Sequence, residues 1–182
     1  MPAIVAGLVK SLDHGYLTPM ASHILRHPDS RLRDVAKPVE TITTEVRELV
    51  ATLTRMMRQS NAVGLAAPQL GVSSRVFVVQ TAKGVVPFIN PELVSCEDWE
   101  VTDEGCCSLP GLKVNIRRAQ TVTIKALGLD GKPFTMTAGP DDGLVAQALQ
   151  HESDHLDGVL MIDHSPSEEP AVPVKGSSIF AR

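Results

Sequence analysis

Between Thr44 and Gln59 the chain places apolar residues at Val46, Leu49, Val50, Leu53, Met56 and Met57. This three-and-four spacing marks one face of a helix and predicts an amphipathic helix there. Thr44 is placed to cap its start, and Glu45 and Glu48 fall where the helix dipole favours negative charge. A loop of small residues, NAVGLAAPQLGVSS (61–74), follows. The run after it, RVFVVQT (75–81), is β-rich and predicts a strand. VVPFINPEL (85–93) reads as a short strand running into a turn. TVTIKALGLDGKPFTMTA (121–138) holds two β-rich runs around Asp130-Gly131, a hairpin signature. AGPDD breaks the pattern. Asp141 or Asp142 can then cap a late helix through GLVAQALQHESDHLD, with Gly158 as its terminator.

Strands first and a long helix late predict an α+β fold. Its expected form is mixed or antiparallel β-sheets packed around a central helix carrying HExxH, with an additional N-terminal amphipathic helix. Residues 1–22 show no period, and 1–19 are expected to be a loose extension that need not be ordered. The stretch HSPSEEPAVPVKGSSIFAR is rich in Pro and Ser, so no helix is assigned to the tail at 165–182.

Composition narrows the function classes. The 182 residues suit one domain with its own core, at 43% hydrophobic and 21% charged. A net charge of −4 gives no electrostatic case for binding nucleic acid or an anionic membrane. No apolar stretch approaches the roughly 18 residues that would span a bilayer. Cys96, Cys106 and Cys107 are an odd set with two adjacent members, a poor disulfide framework that points to a reducing compartment. The start, MPAIVAGLVK, lacks the basic region of a signal peptide. A cytoplasmic protein with no membrane or nucleic-acid partner is expected.

Candidate chemistry concentrates in QHESDHLDG (150–158). Residues four apart on a helix point the same way, so His151 and His155 can offer two imidazoles to one metal ion. Glu152 is turned about 100° from His151, beside the pair, where a base could hold a water. Asp154 and Asp157 are candidates to brace the imidazoles. Leu144 and Ala148 lie seven and three residues before His151 and extend its face as an apolar wall. The longer pattern HExxHxxGxxH would need a third histidine where this chain has Met161. A glutamate further on could only be Glu168 or Glu169, in the tail. The better third ligand lies upstream in DEGCCSLPG (103–111), a tight Gly- and Pro-bounded turn. A thiolate with two imidazoles suits Zn²⁺ or Fe²⁺ and leaves a position for water. The residues alone leave Cys106 and Cys107 as alternatives.

Three segments, GLAAPQ (64–69), EGCCS (104–108) and QHESDHLDG, resemble in order and separation the three motifs of the peptide deformylases. HPDSRLRDVAKPV (27–39) also resembles that family's N-terminal segment, and the likeness spans about residues 20 to 163. It implies a catalytic domain over 20–164, with Met20 at the usual start. It implies a metal-dependent hydrolase that removes the N-formyl group from the N-terminal methionine of nascent polypeptides and releases formate, with N-formylmethionyl peptides as its partners. The implied ligands are Cys106, His151 and His155, with one Fe²⁺ per chain and Zn²⁺, Ni²⁺ or Co²⁺ as substitutes. A metal-held water would attack the formyl carbon. Glu152 would be general base and acid, and Gln69 with the Cys107 backbone N–H would stabilise the oxyanion. Cys107 stands where the family usually has leucine, and Ala62 where its first motif commonly begins with glycine. Helix stripe and resemblance together assign substrate contacts to Val63, Gly64, Leu65, Glu104, Gly105, Leu144 and Ala148, with Gln147 at the rim, and Glu104 is expected to support the site rather than react. Lys113 stands where some relatives have an arginine near the peptide path, and Arg118 is placed to pair with Asp154. The tail, with Glu168, Glu169 and its prolines, does not match the basic ribosome-docking helix of some relatives, so only transient ribosome proximity is expected.

Overall fold

The computed structural model describes residues 23–164 and, before them, two three-residue strands, β1 (Leu8–Lys10) and β2 (Leu17–Pro19), which pair antiparallel. The remainder of the expected extension and the tail at 165–182 lie outside the described residues.

Helix α1 spans Thr44–Gln59 and buries the predicted stripe of Val46, Leu49, Val50, Leu53, Met56 and Met57. Its N-cap is Thr43, not Thr44, and no side chain caps it. Five strands form one antiparallel sheet in sequence order. They are β3 (Gly64–Ala66), β4 (Val76–Thr81), β5 (Gly84–Cys106), β6 (Leu109–Leu127) and β7 (Pro133–Ala138). β4 can be apolar at successive positions because both of its faces are covered. Val76 and Val78 join the core under α1, while Phe77 and Val79 join the core under the late helix. The two helices therefore cover opposite faces, which makes the fold α+β.

One expectation about the sheet needs correction. The strand beginning near Val85 does not stop in a turn after Leu93. It continues to Cys106 and pairs with a β6 that begins at Leu109. The long hairpin was hidden because its central part is polar and partly exposed, and because bulges interrupt its period of two. Register shifts fall between Ile89 and Glu92, Leu93 and Ser95, and Gly105 and Cys106, and Asn90 and Asp98 sit at φ of 50° and 58°. The hairpin around Asp130-Gly131 is the β6–β7 connection.

Helix α2 spans Val145–Leu156. Neither Asp141 nor Asp142 caps it. Pro140–Asp142 form a separate 3-10 turn in which the Asp142 carboxylate accepts from the Gly139 N–H at 2.9 Å, and α2 starts after Leu144 with no side-chain cap. Gln150 clamps α2 to β6, accepting from the Ala119 N–H at 3.0 Å and donating to the Ala119 carbonyl at 2.9 Å. Beyond α2 the chain turns at Gly158, with φ 72°. A β-carbon there would stand 2.3 Å from the Arg33 carbonyl oxygen, so only glycine lets the 30–33 turn dock against the helix end.

Candidate active site

The β5–β6 hairpin delivers a cysteine to the face of α2 that carries the histidines. Cys106 ends β5 opposite Leu109, so Cys107 and Ser108 form the link between the strands. The sulfur that meets the imidazoles is that of Cys106, 3.3 Å from His155 Nε2. It also accepts from the Ser108 N–H at 3.4 Å and the Gln69 amide at 3.6 Å. The His151 and His155 rings stand edge to face, 4.8 Å apart at 88°. The donor atoms of Cys106, His151 and His155 lie within 4.8 Å of one another. Four-coordinate bonds of about 2.0–2.3 Å would place such donors roughly 3.3–3.7 Å apart, so this set fits one divalent ion once its widest pair closes by about 1 Å.

The brace on the imidazole is not the one expected. Asp157 pairs with Arg75 at 2.7 Å, and Asp154 pairs with Arg118 at 2.8 Å, the latter contact as anticipated. Glu104 does the bracing, its Oε1 2.6 Å from His151 Nδ1. Arg118 grips Glu104 with two bonds of 2.9 Å, and both side chains are almost fully buried. Burial pushes the Glu104 carboxyl up, but the bonds from His151 and Arg118 outweigh it and hold the group well below the usual carboxylate range. Burial lowers His151, yet its contacts with Cys106 and Glu104 raise it well above 6.5. Burial and the neighbouring His151 push His155 well below 6.5.

Glu152 faces the same space. It is buried, its Oε2 has no hydrogen-bond partner among the described residues, and burial raises its carboxyl to about 7. Gln69 is fixed by its oxygen, which accepts from the Ala66 N–H at 2.8 Å. That leaves the amide nitrogen facing Cys106, with Ser108 Oγ 3.2 Å away. Beside these groups lies a cavity of about 360 Å³. Val63, Gly64, Gln69, Glu104, Gly105, Cys106, Cys107, Leu144, Ala148, His151 and Glu152 all line it, with Gln147 at its edge. Leu65 does not: its side chain is fully buried in the core under α1, because neighbouring residues of β3 face opposite ways. Leu144 is 59% exposed, a rim rather than a wall. His155 lies beneath the cavity lining, fully buried. Lys113 pairs with Asp103 at 3.0 Å on the exposed hairpin.

Sequence reasoning passed over Ser108 and the clamp made by Gln150. A signal existed for the second, since a glutamine sits one residue before His151 on the side of α2 that is otherwise apolar and buried.

A half-buried thiol, two buried imidazoles and a buried carboxyl with one unpaired oxygen, gathered beside one cavity, define an enzyme with a candidate mononuclear metal centre. The polypeptide deformylase family model matches residues 21–171. The chain is 44% identical over 137 residues to a peptide deformylase of Halothermothrix orenii, covering 74% of this chain and 87% of that protein. The fold matches the crystal structure of a peptide deformylase from Legionella pneumophila with a TM-score of 0.75 and 42% identity, covering 80% of this chain and 86% of that one. It also matches the Met-Ala-Ser-bound class I type b peptide deformylase of Acinetobacter baumannii, with a TM-score of 0.73 and 27% identity, covering 80% and 98%. The chain belongs to the polypeptide deformylase family, whose members are metalloenzymes. Among the described residues no helix is long and apolar enough to cross a membrane.

Proposed function

We propose that this chain hydrolyses the formyl amide of N-formylmethionyl peptides in the cytoplasm, releasing formate and a free amino terminus, with Fe²⁺ as its native ion. Residues 20–164 form the catalytic domain in this reading. Cys106, His151 and His155 would hold the ion, which when bound supplies Lewis acidity to lower the pKa of water and polarise a carbonyl oxygen. Glu152 takes the proton of the attacking water and passes it to the leaving amine as the C–N bond breaks. A carboxyl near pH 7 suits both roles, because it gains and loses a proton at little cost. Gln69 Nε2 and the Cys107 N–H share the negative charge that develops on the formyl oxygen. Being neutral, the Gln69 amide donates without adding a charge of its own. The methionine side chain enters between Val63 and Ala148, with Leu144 at the rim. The Acinetobacter baumannii relative binds Met-Ala-Ser, a peptide with the free methionine that such a reaction would leave.

The observation that carries this reading is the buried Glu152 carboxyl with an unpaired oxygen, facing the cavity next to the Cys-His-His group. The test is formate release by anaerobically purified, iron-loaded protein from formyl-Met-Ala-Ser, with acetyl-Met-Ala-Ser alongside. Turnover of the formyl peptide alone is expected. Equal cleavage of both would replace this reading with a broader amidase, and no formate from either would overturn it.

A further inference from the structure

A line of buried charge leads from the candidate metal ligands to the end of the described chain, and the proposed reaction uses only its inner half. His164 Nε2 lies 2.7 Å from Asp154 Oδ2. Arg118 Nη1 lies 2.8 Å from that same oxygen, and the rest of its guanidinium holds Glu104, which holds His151. Exposure of the side chains falls inward, from 21% at Asp154 to 1% at Arg118 and 3% at Glu104. Asp154 is thus the link that water can reach, and His164 covers it while being only 11% exposed itself.

The position of His164 is built. After Gly158 the chain folds into a 3-10 turn, Met161–Asp163, whose Leu160 and Met161 are buried against Leu109 and Ile116. Asp163 ties the turn down, accepting from the Leu160 N–H at 2.7 Å and pairing with Arg33. His164 follows directly, three residues beyond the position where the longer zinc-peptidase pattern would carry a histidine, so motif reading passes over it.

A guanidinium is planar and rigid, so an Arg118 held at two carboxylates fixes the plane of both. If water displaced the contact at Asp154, Arg118 would lose one of its two anchors and Glu104 would be held less firmly. We propose that His164 is a positioning residue of the metal centre. By pressing Asp154 onto Arg118 it fixes Glu104, and through Glu104 it fixes the tautomer and ring plane of His151. The inference rests on the reading that Cys106, His151 and His155 hold the metal.

The experiment compares full-length wild type, His164→Phe and His164→Gln, each loaded anaerobically with Co²⁺. His164→Phe keeps the ring and removes the donor, His164→Gln keeps a donor near the place of Nε2, and His164→Ala stands by if the phenyl ring overpacks. His164→Phe is expected to bind Co²⁺ roughly 10-fold more weakly, the lower end for partners that orient a ligating histidine. Its visible cobalt bands should shift, and kcat for formate release should fall while KM stays. His164→Gln should recover most of all three. Unchanged bands and affinity in His164→Phe and His164→Ala, or a His164→Gln no better than His164→Phe, would reduce His164 to packing and overturn the inference. Wild type that takes up no Co²⁺ would overturn the metal-site reading itself, an outcome distinct from the other two.

Discussion

A β-carbon on Gly64 would stand 2.5 Å from Glu152 Oε1 and 2.9 Å from its carboxyl carbon. β3 cannot retreat, because Gly64 pairs with Val79 of β4. The carboxyl, at the end of a flexible side chain, is what must move. Gly64→Ala is therefore expected to fold and to keep its metal, while kcat/KM for formate release falls about 100-fold, the usual scale for a reacting group displaced by an ångström. Metal analysis, thermal melting and kinetics on one preparation check this. A fully active Gly64→Ala would show that Glu152 need not occupy its present place.

The same carboxyl should make the metal-stripped protein sensitive to pH. Burial raises Glu152 from its ordinary 4.5 to about 7, so the folded state prefers the neutral form. The sign follows: this stabilisation is fully present below about pH 4.5 and is lost as pH rises through 7, on the order of 3 kcal/mol in all. Urea unfolding of chelator-treated protein between pH 5 and 8 should therefore slope downward more steeply for wild type than for Glu152→Gln, which cannot ionise. Equal slopes would mean that Glu152 ionises freely in the fold.

Much of this arrangement was readable from residue order, for reasons that differ by element. α1 and the Asp130-Gly131 hairpin announced themselves through local periodicity and turn chemistry, which need no knowledge of distant contacts. The site was readable because its groups come from compact motifs: His151, Glu152 and His155 share one helix, and EGCCS is one hairpin tip. What stayed hidden depends on long-range contacts. A supporting part for Glu104 is legible in EGCCS, but its partner is not: His151 meets it only once β5 and α2 are in place, 47 residues apart in the chain. That the Leu65 side chain faces the core and not the cavity is hidden too, because the faces of a three-residue strand cannot be told apart without its neighbours. The capping carboxylates failed because a 3-10 turn intervened before α2, a break that AGPDD signals without locating.

Arg118 offers a test of that brace through stability. It is 1% exposed and stands between Glu104 and Asp154. Arg118→Met keeps most of the volume but leaves the buried Glu104 carboxylate without its guanidinium, which typically costs about 3–5 kcal/mol. Denaturant unfolding should show a loss of that size, with weaker metal binding alongside. A variant as stable as wild type would mean that the two carboxyls simply take up protons when the guanidinium goes.

Cys107 separates a main-chain role from a side-chain one. Its thiol lines the cavity and also a neighbouring hollow bordered by His23, Arg26, Met56 and Ser60. Burial, then the adjacent Cys106, pushes the thiol above its ordinary 9.0, so little thiolate exists at neutral pH to act as a nucleophile or a rival ligand. The proposed contribution of this residue is its backbone N–H, which any non-proline residue supplies. Cys107→Leu is accordingly expected to keep kcat/KM within about threefold of wild type, well short of the 100-fold or greater loss typical when an oxyanion donor is removed. KM for longer formyl peptides is the more sensitive readout, since the larger side chain would stand at a position that borders both cavity and hollow. A Cys107→Leu enzyme that loses most of its kcat with KM unchanged would assign the sulfur a part in the chemistry that the half-buried, protonated thiol does not suggest.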